Sequence, residues 1–327
     1  MRMFCIAALC AAGLLVSCKS GKPDISNIIV PDVEIQRLDR DIFTASADEL
    51  HRKYGAFFDF YTEYILDIGN FRDSLFTEYF EMFKTSGIVM EARNRVDKQY
   101  PDLKELCGKL TLAMKYYRYY FPDRLIPKIY TYIAGFNHSF ILTDSVLAIG
   151  LDKYLGADCK LYDDLRFNKY MSRHMHREKI VSDFLSTLVA SEWVLNGRQN
   201  NDLISKMLYE GKILYATDMI LPDEADTLIF GFSADQLRWC KNNEKTMWVT
   251  LIENKRLYST DYLIIKKLTE PAPNTSEFTS ESPGKACNWI GYNIIAKYMK
   301  NNPQTSLREL MDDNDYHRIF AQAKYKP

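Results

Sequence analysis

Residues 101–121 constrain the fold more than any other stretch. Leu103, Leu106, Leu110, Met114 and Tyr117 recur at three- and four-residue steps, the spacing of one buried helix face, and Pro122 closes the run. The same texture dominates the chain. Ser46 with Glu49 three residues on reads as a capping box opening a helix over 47–66. Further helices are predicted over 71–83, 178–195, 201–216, 233–253 and 288–299, with Asp202 and Ser233 as caps. Strand signals are few. Residues 33–38 read as a short strand, and IYTYI at 129–133 is β-branched and aromatic. Residues 139–142 and 145–149 flank Thr143-Asp144 as a hairpin. With only 14 glycines, a nucleotide-cradling α/β fold or a turn-rich sandwich is disfavoured. The expectation is a mainly α (α+β) fold, one helical domain over 32–327 carrying a small antiparallel sheet. The loop at 270–284 (EPAPNTSEFTSESPG) reads as an exposed excursion or a lid.

Residues 1–17 read as an export signal. Arg2 gives the positive end, and the uncharged run over 4–16 is too short for a spanning helix, which needs roughly 20 residues. The run ends in Leu15-Val16-Ser17-Cys18, a lipobox, which makes Cys18 the lipid-attachment residue and 18–31 a lipidated tether punctuated by Pro23 and Pro31. Lys19 is not the aspartate that retains lipoproteins at an inner membrane. No acidic export run follows Cys18. The expected address is the cell envelope, lipid-anchored in the outer membrane and facing the periplasm.

The 42 Lys and Arg nearly match the 43 Asp and Glu, so the basic surplus of a nucleic-acid binder is missing. No G-x-G-x-x-G, Walker or G-x-S-x-G pattern occurs, which removes a nucleotide and a serine-nucleophile elbow from the expectations. Cys107, Cys159, Cys240 and Cys287 are widely spaced with no C-x-x-C pair. They read as single buried thiols, with their pairing left open. No cofactor is expected.

The order of strands, helix, then a second helix bearing Glu210-Gly211 follows that of zinc peptidases of the glutamate-zincin type. H-E-x-x-H, which puts two histidines on one helix face, is absent. The nearest material is His174-Met175-His176-Arg177-Glu178. Residues two apart on a helix point away from each other, and Arg177 and Lys179 make the neighbourhood hostile to a cation. His174 and His176 therefore read as exposed or capping side chains, with metal ligation alongside Glu210 as the alternative. Glu210 reads as ion-paired to Lys206 or Lys212, Glu192 as held in an ion pair or hydrogen bond, and Asp183 as solvated or bonded to a neighbouring helix. These three and Glu178 are also the candidate carboxylates for an envelope hydrolase, peptidase or glycan-cleaving. The aromatic runs at 56–64 (AFFDFYTEY) and 116–121 read as core with a partner-facing rim.

Several segments carry a resemblance. IYTYIAGFN (129–137), LAIGLDKYLG (147–156), MLYEGKILYATDMILP (207–222) and SPGKACNWIGYNIIAKYMKNN (282–302) resemble the gliding-motility-associated lipoproteins of the GldB family of Bacteroidetes-type bacteria. Trp239-Cys240, Asn243-Glu244 and LYSTD (257–261) extend the similarity over nearly the whole mature chain. Ala286-Cys287 after SPGK departs from the family pattern. The resemblance implies a non-catalytic, membrane-anchored envelope protein that binds other envelope proteins, and a distant likeness to zinc peptidases whose H-E-x-x-H is lost, a degenerate zincin-like arrangement.

Overall fold

The computed structural model describes residues 22–327; the signal at 1–17 and Cys18 lie outside the described residues. A four-stranded sheet divides two apolar cores. Its strands are β1 (Ile35–Arg37), β2 (Lys128–Tyr132), β3 (Phe140–Leu142) and β4 (Val146–Gly150), in the order β1-β2-β4-β3. The predicted hairpin is β3–β4, antiparallel. The other two pairings are parallel: Ile35 lies opposite Ile129, and Lys128 opposite Val146. The sheet is thus mixed, not wholly antiparallel. Hairpins announce themselves locally, whereas the β1–β2 pairing joins segments separated by more than eighty residues of mostly helical chain.

The sheet is buried on both sides, which is why β4 reads as a continuous apolar run rather than an alternation. Tyr130, Tyr132, Val146 and Ala148 face the smaller core; Ile129, Ile133, Leu147 and Ile149 face the larger one. The smaller core is aromatic. Phe57, Phe58, Tyr61, Phe76 and Phe80 fill it, with the ring of Phe57 set edge-on to Tyr130 at 5.0 Å between centroids. The Ser46–Glu49 capping box forms. The predicted 47–66 helix is broken, however. Gly55 takes φ 55° and ψ −136°, so Ala47–Tyr54 ends there, and Ala56–Phe60 restarts and runs into a π-turn at Tyr61–Ile65.

The larger core is built around the Leu203–Ile220 helix, capped by Asp202 and buried on nearly every side. It packs against Ile180–Glu192, Lys104–Tyr120, Ala286–Asn301 and Tyr316–Ala323. Its crossing with Ala286–Asn301 is unusually close. A Cβ placed on Gly291 would lie 1.9 Å from the Met207 carbonyl oxygen, and one on Gly211 would lie 2.4 Å from the Gly291 carbonyl carbon. Only two hydrogens fit between the backbones.

Residues 22–31 lie along this body. Val30 is buried, Ile25, Ile28 and Val33 pack on the larger core, and the Val33 amide donates to Thr111 Oγ1 at 2.9 Å. Among the described residues, no helix is long and apolar enough to cross a membrane.

Candidate functional site

Beyond β4 the chain turns through Asp152, Lys153 and Tyr154, and this end of the sheet forms one wall of a cavity of about 210 Å³. The segment around Arg173 and His174 forms the second wall. Gly231 and Phe232, then the two ends of the 270–285 loop at Ala272, Gly284 and Lys285, complete it. Gly231 closes the Asp226–Phe230 helix in the left-handed region (φ 63°). A Cβ there would lie 3.6 Å from Lys179 Cε and 3.7 Å from the His174 ring.

The cavity is strongly basic. Lys153, Arg173 and Lys285 line it, and Lys179 is buried behind His174. Asp183 is the one carboxylate in the lining, and it is already committed: Lys179 Nζ lies 2.5 Å from Oδ1, and Tyr154 Oη donates to Oδ2 at 3.0 Å. Lys153 Nζ sits over the Phe167 ring at 4.3 Å. Arg173 Nε donates to His174 Nε2 at 2.9 Å, and neither Arg173 nor Lys285 has a carboxylate partner among the described residues. Burial is the main influence on the protonation of these groups. Burial, then the charges of Arg173, Lys285, Lys179 and His176, hold His174 down to about 3. Burial, reinforced by Lys179 and opposed by Asp183 and Glu210, also lowers Lys285; burial lowers Arg173 and, against the pull of Asp152, Lys153.

The 270–284 loop exposes residues 271, 273, 276 and 279–281, as an excursion should, but it is fastened at its base and not built as a free lid. Thr275 and Ser282 are buried and tie it shut. Thr275 Oγ1 donates to the Pro283 carbonyl at 2.7 Å and accepts from the Ala286 amide at 3.0 Å, while Ser282 Oγ donates to the Thr279 carbonyl and accepts from the Thr275 amide. Its two ends touch so closely that a Cβ on Gly284 would lie 2.1 Å from the Ala272 oxygen. These bonds fix Lys285, which sits at φ 53° just before the Ala286–Asn301 helix. Thr275→Val keeps the shape but strands a buried N–H and a buried C=O, so urea unfolding should show a loss of about 2–3 kcal/mol.

The four candidate carboxylates do not converge. Glu178 is exposed and bonded to His176 Nδ1 at 2.8 Å. Asp183 lies in the basic cavity. Glu192 is paired with Arg124, and Glu210 with Lys206 at 2.6 Å. Lys212, the other expected partner of Glu210, is buried elsewhere and donates to the carbonyls of Met311 and Asp313. His174 is half-buried rather than exposed, because the 231–232 and 284–285 segments pack around it. The Ile180–Glu192 and Leu203–Ile220 helices share a polar contact at Ser186 and Thr217, 3.2 Å apart. Glu210 lies seven residues, about 10 Å along the axis, from Thr217. No group of three His, Cys, Asp or Glu among the described residues is placed to hold a metal ion. Cys107, Cys159, Cys240 and Cys287 are free thiols; the last three are buried, and burial pushes Cys240 up to about 12.

Sequence reasoning missed Lys153, Arg173 and Lys285. The sequence signal for Arg173 is its place beside His174 and near Arg177 and Lys179; Lys153 and Lys285 carry no local signal.

Fold and cavity together define a mainly α protein with a mixed sheet, whose concave site is suited to holding an anion. The chain belongs to the gliding motility protein GldB family, whose model matches residues 18–327. No curated protein and no solved structure matches it.

Proposed function

We propose that the chain is a non-catalytic binding component of the cell envelope, anchored through lipid on Cys18 in the outer membrane, facing the periplasm, and serving gliding or related envelope machinery by holding a protein partner. The family match, which begins at Cys18, and the lipobox support the anchor. The four candidate carboxylates lie in different places, three of them ion-paired and Glu178 hydrogen-bonded to His176, which supports binding over cleavage.

The observation that carries the partner is the outer face of the Phe76–Thr85 helix. Its inner residues Phe76 and Phe80 are buried, yet Leu75, Tyr79 and Met82, spaced four and three residues apart, are 52%, 44% and 60% exposed. An exposed apolar stripe that flanks the buried face of a helix already packed on the core marks a contact surface.

The test is affinity capture from solubilised envelopes with a tagged, acylated chain. A stoichiometric partner should be retained by the wild type and depleted about tenfold or more by a Leu75→Ser/Tyr79→Ser/Met82→Ser variant. Cys18→Ala should move the chain to the soluble fraction. Stoichiometric zinc that a chelator removes together with a peptidase activity, or a glycan hydrolysis abolished by Asp183→Asn, establishes the hydrolase instead.

A further inference from the structure

The cavity carries an inference separate from the docking stripe. Its charges are arranged against their own interest. Lys153, Arg173 and Lys285 are drawn to one space of about 210 Å³, and the only carboxylate in its lining is spent on Lys179 and Tyr154. Bringing several like charges together in a half-buried place is unfavourable unless a counter-charge joins them. Among the described residues the carboxylates in reach are already engaged: Asp183 with Lys179 and Tyr154, Glu210 with Lys206, and Asp152, beside Lys153, with two backbone amides. The closed 270–285 loop, pinned by Thr275 and Ser282, holds Lys285 at the wall instead of letting it swing to solvent. The Ala286–Asn301 helix, sixteen residues long, also begins at this wall and adds the positive end of its dipole.

We propose that the cavity formed by Lys153, Arg173, His174 and Lys285 binds a phosphate dianion, either free or as the terminal group of a phosphomonoester. Two features select phosphate over a carboxylate. Three cations line the space, and two of them, Arg173 and Lys285, have no carboxylate ion pair among the described residues, so a single negative charge leaves it positive. The cations also come from three separate segments around the space, which suits a tetrahedral group with several acceptor oxygens better than a flat one with two. Arg173 offers the guanidinium nitrogens not engaged by His174. Lys153 and Lys285 offer ammonium donors. Neutral His174 accepts from Arg173 through Nε2, which leaves its Nδ1 as the donor. The site has room for the phosphate and several waters.

Titration calorimetry on the detergent-solubilised full chain tests this with three probes: inorganic phosphate, glycerol 3-phosphate, and short-chain phosphatidic acid in micelles, with phosphatidylcholine as the diester control. Saturable binding is expected for at least one phosphate or monoester probe and not for the diester. Lys285→Gln and Arg173→Gln should each weaken it about tenfold or more, while the exposed Lys245→Gln leaves it unchanged. Binding of inorganic phosphate or glycerol 3-phosphate assigns a soluble source, and binding of phosphatidic acid alone assigns a lipid headgroup.

Histidine NMR gives a second readout that does not need a variant. The groups facing His174 are Arg173, Lys179, His176 and Lys285, with Lys153 and Asp183 across the cavity. A bound dianion lies against the ring, so the His174 resonances must shift saturably, with the calorimetric affinity, when the ligand is added at pH 7. Absence of binding by all three probes at millimolar concentration overturns the proposal. So does binding that is insensitive to both substitutions, or that leaves the His174 resonances unmoved.

Discussion

Gly291→Ala is expected to destabilise the protein by about 3 kcal/mol or more, at the top of the range for overpacking. The added carbon would sit 1.9 Å from the Met207 carbonyl oxygen and 2.7 Å from its carbonyl carbon, both main-chain atoms of a buried helix that has no soft side chain to yield. The helices must therefore separate, and the contacts flanking the crossing, including Tyr292 Oη to Asp218 at 2.6 Å, are strained with it. Gly108→Ala is the control. Gly108 also lies inside a helix, but a Cβ there meets nothing within 4 Å, so that variant should gain roughly 0.5–1 kcal/mol. Urea unfolding midpoints of the two variants should move in opposite directions. A Gly291→Ala protein as stable as wild type would mean that the crossing is looser than described.

The second large effect concerns Asp152, fully buried just past β4. Its Oδ2 accepts from the Ala134 amide at 3.0 Å and the Phe136 amide at 2.8 Å, pinning a turn in which Gly135 and Phe136 both have positive φ. Its Oδ1 has no partner among the described residues. Asp152→Ala orphans two buried amides and releases a strained turn, an expected loss of about 3–5 kcal/mol. Asp152→Asn retains an acceptor and should lose less. Burial, partly offset by the two amides and by Lys153, raises the Asp152 carboxyl to about 6 from 3.8. The folded state thus holds a proton that the unfolded state has released between those values. The contribution to stability is greatest below about pH 4 and declines as pH climbs through 6. Wild type measured against Asp152→Asn should lose on the order of 2–3 kcal/mol between pH 4 and pH 7. A flat difference across that range would show the carboxyl ionised throughout.

Where the signal was local, the sequence was readable. The capping box at Ser46 forms, Ser233 caps its helix, and the 103–117 stripe is buried at Leu106, Leu110, Met114 and Tyr117. The Gly87–Gln99 helix was not foreseen: it opens on glycine and buries only Val89, Ala92 and Val96, a stripe too thin to stand out. The break at Gly55 is likewise invisible in periodicity, since apolar residues on both sides keep helical spacing. Parallel pairing of β1 with β2 leaves no local trace at all. The cavity was harder still. Its cations come from positions 153, 173 and 285, and only the tertiary fold shows that, among the described residues, Arg173 and Lys285 have no carboxylate ion pair and Lys153 has only the buried Asp152 beside it. A lysine in a solvated charge run and a lysine stranded without a counter-ion look alike in a string of letters.

The parallel pairing of β1 has a mechanical consequence. Residues 22–34 run straight into this strand, whose register with β2 extends from Ile35 opposite Ile129 to Arg37 opposite Thr131. A tug arriving from the N-terminal side along the strand axis strains these ladder bonds together, in shear, instead of peeling them one by one. The Val33–Thr111 bond and the seat of Val30 lie ahead of the strand and would yield first. An N-terminal tether that is pulled would thus lengthen by shedding the short packed segment before the sheet itself feels the tension.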